Sequence, residues 1–157
     1  MFSATTEYAM RAMSWLALSP DTLVPTTVLA EKTKVPPHYL AKVLQNLAAA
    51  DLIVGRRGVR GGYKLARPSK QITLLEVVRS VAEVSRITTC PLGLTNHGPN
   101  LCPLHRRIDQ AAQKVIDLYG SITLDSLISD PLSNKPLCDS ETTAKLTVSA
   151  GAGARSR

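Results

Sequence analysis

Hydrophobic positions along the chain recur every three to four residues, and one short segment breaks that rhythm. A three-to-four spacing gathers apolar side chains on one helix face. In residues 3–19, Tyr8, Ala12, Trp15 and Leu16 keep it, with Ala9 and Met13 beside them, and Pro20 stops the run. A short second helix is expected after Val24-Pro25, with Thr26 as its cap and Val28, Leu29 and Ala30 as its apolar face. Residues 33–36 read as a tight turn. A third helix is predicted over residues 36–50, with Pro37 at its first position, where a missing N–H costs nothing. Leu40, Val43, Leu44 and Leu47 then face inward, and His38, Tyr39, Ala41, Lys42, Gln45 and Asn46 face outward. Two helices, a short turn and a third helix make a helix-turn-helix.

The rhythm changes at Leu52. Leu52-Ile53-Val54 and Tyr63-Lys64-Leu65 read as short strands, joined by a tip with glycines at 58, 61 and 62 that permit positive φ. Helical spacing returns over residues 74–85, capped by Thr73 with Glu76 in the first turn. Residues 86–101 are rich in Gly, Pro, Asn and Thr and read as a loop. A long helix is predicted over residues 103–119, closed by Gly120, about 25 Å long at 1.5 Å per residue. Ile108, Ala111, Ala112, Val115, Ile116 and Tyr119 form its apolar stripe. Residues 123–128 suggest a short last helix. From Asp130 on, small and polar residues dominate, and residues 147–157 read as a disordered basic tail. The expected fold is mainly α with a small β-hairpin: a winged helix-turn-helix followed by a long C-terminal helix.

Charge adds a partner to this picture. The 157 residues carry a net charge of +7, and between Asp51 and Lys70 six basic residues (Arg56, Arg57, Arg60, Lys64, Arg67, Lys70) face a single acid, Asp51. Such a surface suits a polyanion: nucleic acid first, an anionic membrane surface second. The first residues carry Glu7 and Arg11 and lack the long apolar run of a secretory signal, and no stretch is long enough to span a bilayer. Three cysteines are too few for a disulfide scaffold and fit a reducing cytoplasm, with thiols free or on a metal.

Outward side chains early in a reading helix meet base edges in the major groove, which selects His38, Tyr39, Lys42 and Gln45. Arg56, Arg57, Arg60 and Lys64 of the hairpin would lie along phosphates or reach the minor groove, and Thr26 and Thr27 would add phosphate contacts at a helix start. Lys42, Gln45 and Asn46 read equally well, one by one, as a solvated helix face. The glycine-rich tip precedes a strand and lacks a Lys-Ser/Thr ending, so it is not a phosphate-binding P-loop. No nucleophile–base–orienter set is present, and Glu76 and Glu83 read as solvated, so an enzyme is not expected.

Cys90 and Cys102 bracket the loop, each opening a Cys-Pro-Leu triplet, with His97 between them and His105 one turn beyond Cys102. Thiolates and imidazoles at this spacing fit an iron–sulfur cluster or zinc. The alternative is no metal, with thiols that are structural or redox-active. Cys138 reads as a bystander.

The chain resembles the Rrf family of bacterial winged-helix regulators, which includes the IscR, NsrR and CymR types, over about residues 2–128. The likeness rests on Thr6-Glu7-Tyr8-Ala9-Met10-Arg11, Val35-Pro36-Pro37-His38-Tyr39-Leu40, Gly58-Val59-Arg60-Gly61-Gly62-Tyr63-Lys64-Leu65 and Cys102-Pro103-Leu104-His105. It implies a homodimer joined through the long helix, binding a near-palindromic DNA operator and usually repressing. It also implies DNA contacts at Tyr39 and Arg57. Pro36 stands where relatives often carry a hydroxyl residue. Cluster-bearing relatives place three cysteines in the loop where this chain has two. Others hold a [2Fe-2S] cluster with fewer, recruiting a histidine and an acid near the chain start. That points to Cys90, Cys102 and His105, with Glu7 or His97 as the fourth ligand. Other relatives carry no metal and answer to a protein partner or thiol oxidation. The expected division is a winged-helix DNA-binding domain at 1–85, a cysteine-containing sensor loop at 86–102, a dimerisation helix region at 103–129 and a flexible tail at 130–157.

Overall fold

The computed structural model describes residues 3–94, 100–130 and 136–137. Helix α1 (Ala4–Ala17) starts where the Ser3 side chain accepts the Thr6 N–H. It buries Ala9, Ala12, Met13 and Leu16 completely. Around it pack α2 (Thr26–Thr33), α3 (Pro37–Ala49), α4 (Leu74–Val81) and α6 (Leu124–Ile128). Helix α3 contributes Leu40, Val43, Leu44 and Leu47, the inward set its spacing predicts. One apolar cluster joins these helices to Ile53 and Leu65 of the hairpin.

Helix α2 begins differently from expectation. Pro25 is its N-cap and no side chain caps it; Thr26 is the first helical residue. The fixed proline φ sets up the helix start one residue before the threonine. Helix α2 closes with Lys34 in the left-handed region at φ 55°, and its N–H returns to Ala30 and Glu31.

Strands β1 (Ile53–Arg56) and β2 (Gly62–Leu65) pair antiparallel, Ile53 opposite Leu65 and Arg56 opposite Gly62. Pairing runs two residues past Val54 because Gly55 lies opposite Tyr63 and leaves room for its ring, which a Cβ would approach to 2.8 Å. Val24 and Tyr63 exchange two backbone hydrogen bonds of 2.9 Å, adding the segment before α2 to the hairpin's edge. At Gly62 a Cβ would lie 2.4 Å from the Val24 oxygen, so only glycine permits this approach.

A 3-10 turn at Ser69–Gln71 leads to α4. Its capping box is complete: Thr73 accepts the Glu76 N–H, and Glu76 accepts the Thr73 N–H at 2.8 Å. Such a cap contributes about 1 kcal/mol. The helix stops at Val81, short of the expected residue 85, with Ala82 extended. Beyond it the chain crosses to α5 (Pro103–Ser121), where Arg86 forms a two-pronged ion pair with Asp109, both contacts 2.5 Å, and the Ile87 N–H donates to the same carboxylate at 3.0 Å. A continued α4 would forfeit these bonds.

Helix α5 passes through Gly120 instead of closing there and ends at Ser121. What ends it is pairing: Leu74 N–H donates to Ile122 O and Leu124 N–H to Ile72 O, both at 2.9 Å. These bonds draw Ile122 and Thr123 into extended backbone beside Thr73. The expected apolar stripe of α5 is divided. Ala112, Val115, Ile116 and Tyr119 are half-buried, whereas Ile108 and Ala111 are exposed along with Leu104 and Leu118. The expected short last helix is α6, capped by Thr123, with Leu124 wholly buried in the common core. The expected tail falls almost wholly outside the described residues.

Replacing Gly62 with Ala is expected to separate the Val24 segment from the wing and to cost about 1–3 kcal/mol, the usual range for overpacking. The urea midpoint measures this; an unshifted midpoint would show that the close approach is dispensable. A pH dependence follows from Asp109. The Arg86 guanidinium, opposed by burial and aided by the Ile87 N–H, holds its carboxyl below the usual range. Stability from this pair is therefore present above the unfolded carboxylate value of about 3.9 and lost as pH falls through the lower folded value. The stability gap between the parent and Asp109→Asn, followed by urea unfolding, should be widest near neutral pH and shrink in acid. A gap independent of pH would contradict the pairing.

Candidate nucleic-acid interface

The outer face of α3 presents His38, Tyr39, Ala41, Lys42 and Gln45 to solvent, because the inner face is committed to the core. Asn46, expected beside them, is half-buried. Tyr39 is 52% exposed yet not loose. Its ring lies 4.2 Å from the His38 ring, centroid to centroid, and 6.1 Å from that of Tyr8. Arg11 stands near Tyr8, 5.9 Å from the ring centroid, donates to the Thr33 carbonyl at 3.4 Å and forms an ion pair with Glu7. Tyr8 and Arg11 of α1 therefore brace the start of the reading helix and the end of α2. A reading by helical face alone assigns Tyr8 to the core and leaves Arg11 without a role. The structure gives both a place beside the site.

Behind α3 in the chain, the hairpin forms a wing. Gly58 at its tip has φ 108°, a left-handed conformation that favours glycine. The Arg56 guanidinium donates to the Arg60 carbonyl at 3.1 Å, and Gly61 N–H to Gly58 O at 2.9 Å, so the tip is cross-braced. Arg56, Arg57 and Arg60 are exposed, and no carboxylate pairs with them among the described residues. Arg67, counted with them by charge alone, is spent on Glu76 at 2.7 Å. Burial would raise the Glu76 carboxyl, but the Thr73 N–H, Arg67 and the Thr73 hydroxyl outweigh it and hold it below the usual range.

The wing and α2 enclose a cleft of about 510 Å³ that brings Thr26, Thr27, Arg56 and Arg57 together. Lys64 is not part of it. Adjacent strand residues point to opposite faces, and Lys64 borders another cleft, shared with Asp21, Arg56 and Arg60. Thr26 and Thr27 also border a notch reaching Val35 and Pro37, so the wing, the start of α2 and the start of α3 form one continuous surface. Its free charges are cationic along the wing, and its donors are side-chain N–H and O–H groups. That surface is suited to phosphates flanking a groove.

The cysteine loop is less complete. Cys102 is the N-cap of α5, and its Sγ lies 3.4 Å from His105 Nδ1, as the i, i+3 spacing predicts. Cys90 is half-buried in a turn whose Gly93 N–H donates to its carbonyl at 3.0 Å. Among the described residues of one chain, no three His, Cys, Asp or Glu side chains gather closely enough to hold a metal. Cys90, Cys102, His105 and Glu7 thus do not form a ligand set in this arrangement, and Glu7 is paired with Arg11. His97 and Cys138 lie outside the described residues.

No helix of the described residues is long and apolar enough to cross a membrane. In fold the chain is similar to IscR of T. potens, with a TM-score of 0.69 at 21% identity over 85% of this chain and 93% of that one. It is also similar to CymR, the global cysteine regulator of B. subtilis, with a TM-score of 0.67 at 22% identity over 81% and 95%. A relative from Aquifex aeolicus, grouped with the HTH-type transcriptional regulators, is 28% identical over 132 residues, covering 82% of this chain and 92% of its own. One from Mycobacterium tuberculosis, grouped likewise, is 42% identical over 80 residues, half of each chain. The family described as iron-dependent transcriptional regulators, Rrf2, matches residues 2–130. That match spans the helix-turn-helix, the wing, the cysteine loop and α5, and the chain belongs to the Rrf2 family of transcriptional regulators, which are not enzymes.

Proposed function

We propose that this chain is a cytoplasmic, homodimeric repressor that binds a near-palindromic operator in duplex DNA. The observation that carries this reading is the continuous surface of exposed α3 side chains, Thr26 and Thr27, and wing arginines that no carboxylate pairs among the described residues. His38, Tyr39, Lys42 and Gln45 read bases in the major groove. Arg56, Arg57 and Arg60 hold phosphates or the minor groove, and Lys64 contacts the backbone from the wing's other side. A dimer would present two such surfaces, one helical turn apart, about 34–36 Å. The pairing surface is the exposed line Leu104, Ile108, Ala111 and Leu118 on α5, apolar side chains that a symmetric partner helix would cover. By role, residues 1–85 read DNA, 86–102 sense and 103–129 pair.

We further propose that the Cys90–Cys102 loop switches operator affinity through an iron–sulfur cluster or the redox state of its thiols. Cys102 and His105 stand side by side, which supports the reading, but the described residues of one chain do not complete a four-donor site. Cys90, with Glu7 or His97 as fourth donor, would have to join them by loop movement or from a second chain. The ion pair of Arg86 with Asp109 ties the loop's first residues to α5, so a change in the loop is passed to the pairing helix. Each tenfold change in affinity needs about 1.4 kcal/mol of difference between the two states. The second reading is a metal-free regulator governed by a protein partner or small molecule.

Arg57→Ala should weaken binding to any duplex and lower the magnitude of the slope of log K against log salt by about one. A slope unchanged within error would remove Arg57 from the phosphate contacts, and salt-independent binding would sink the DNA reading. Ile108→Glu should convert a dimer to monomers in sedimentation equilibrium. Anaerobic purification with iron and sulfide quantitation separates the two switch readings: visible absorbance with both elements supports the cluster. A colourless, iron-free protein whose operator affinity ignores thiol oxidation supports the metal-free regulator.

A further inference from the structure

The start of the reading helix has an unusual shortage of hydrogen-bond donors. Its N-cap is Pro36 and its first residue Pro37, and neither has an N–H. The next donors are used locally: Tyr39 and Leu40 N–H groups both donate to the Pro36 carbonyl at 3.0 Å. Of the N–H groups that a helix start ordinarily offers to an anion, only that of His38 is left. Beside this end lies an open notch of about 360 Å³ lined by Thr26, Thr27, Ala30, Glu31, Val35 and Pro37. Ala30 and Val35, both buried, form its floor, and the exposed Glu31 stands on its rim, 4.0 Å from the Lys32 ammonium.

The Val35 and Pro37 side of the notch offers a phosphate little, with no α3 amide but that of His38, a hydrocarbon lining and a carboxylate nearby, whereas Thr26 and Thr27 are shared with the wing cleft. The notch thus adjoins the surface proposed for DNA, and His38 and Tyr39 follow Pro37 directly. Of the groups that base edges present in the major groove, one is apolar, the C5-methyl of thymine. We infer that the notch receives a thymine methyl, so that Pro37 and Val35 select thymine at one fixed position in each half-site. This rests on the duplex-DNA reading given above. The acid on the rim and the missing amide donors then act as specificity elements: they turn phosphate away and leave the contact to an uncharged base edge.

The test begins with sites recovered by in vitro selection from random duplex DNA. Each thymine is replaced singly by uracil, which removes only the methyl, in both half-sites, and affinity is measured by fluorescence anisotropy. One position per half-site should lose about fourfold in affinity per replacement, the worth of one buried methyl-sized group. In Pro37→Ser, which adds a hydroxyl and restores an N–H, the preference for thymine over uracil should vanish there and persist at other sensitive thymines. Ala30→Ser, which places a hydroxyl on the notch floor, should reduce the same preference and serves if Pro37→Ser folds poorly. Uracil tolerated at every position, or a preference that survives in both variants, would overturn the inference while leaving sequence-specific binding intact. If selection recovers no preferred site, the operator reading itself fails, and this inference with it.

Discussion

Besides the apolar packing of Ile53 and Leu65 in the common core, the wing is fixed beside α2 by a backbone exchange, Val24 with Tyr63, in which each N–H donates to the other's carbonyl at 2.9 Å. The rest of the candidate interface depends on it. A two-stranded hairpin alone is marginal in water. The exchange supplies a third extended segment and joins the wing to the residue just before Pro25, where α2 begins. Wing position and the start of α2 are thus set by the same bonds. The cleft shared by Thr26, Thr27, Arg56 and Arg57 follows from this, because its walls are the two pieces so joined. Gly62 is the steric condition for it, since any Cβ there would collide with the Val24 carbonyl.

A second constraint acts at the other end of the molecule. Asp109 is the sole buried residue of α5, at 7% exposure, and its carboxylate takes both prongs of Arg86 and the Ile87 N–H. Burying a carboxylate demands such compensation. The effect is to fasten the segment leaving α4 onto the long helix just ahead of Cys90. The cysteine loop therefore leaves from and returns to α5: its entry is tied at Asp109 and its exit is the helix start at Cys102. In the proposed switch, this is what lets the loop act on the pairing helix.

The site itself was partly readable. The outward set on α3 emerged from periodicity because a buried Leu/Val stripe leaves the remaining positions no other direction. The side-by-side placement of Cys102 and His105 followed from their i, i+3 spacing at a helix start. Lys64 could be placed on the wing but not on a side of it, and Arg67 could not be told from its neighbours until its pairing with Glu76 was seen. The contribution of Tyr8 and Arg11 depends on α1 meeting α2 and α3 across some twenty to thirty residues of chain, as in the Arg11 bond to the Thr33 carbonyl. Local pattern carries no signal for such a meeting.

The amino-acid sequence by itself determined the order of elements, the inner faces of α1 and α3, the basic hairpin with its glycine tip, and the capping of α4 by Thr73 and Glu76. These rest on interactions within a few residues, where side-chain period and backbone chemistry suffice. Tertiary structure alone decided where α4 and α5 stop, because those ends are set by distant partners. Asp109 draws the chain out of α4, and pairing of Ile72 and Leu74 with Ile122 and Leu124 ends α5 beyond Gly120. It also decided which half of the α5 stripe stays exposed. Helix propensity is worth tenths of a kcal/mol per residue, so a few long-range hydrogen bonds and one half-buried ion pair override it at the ends.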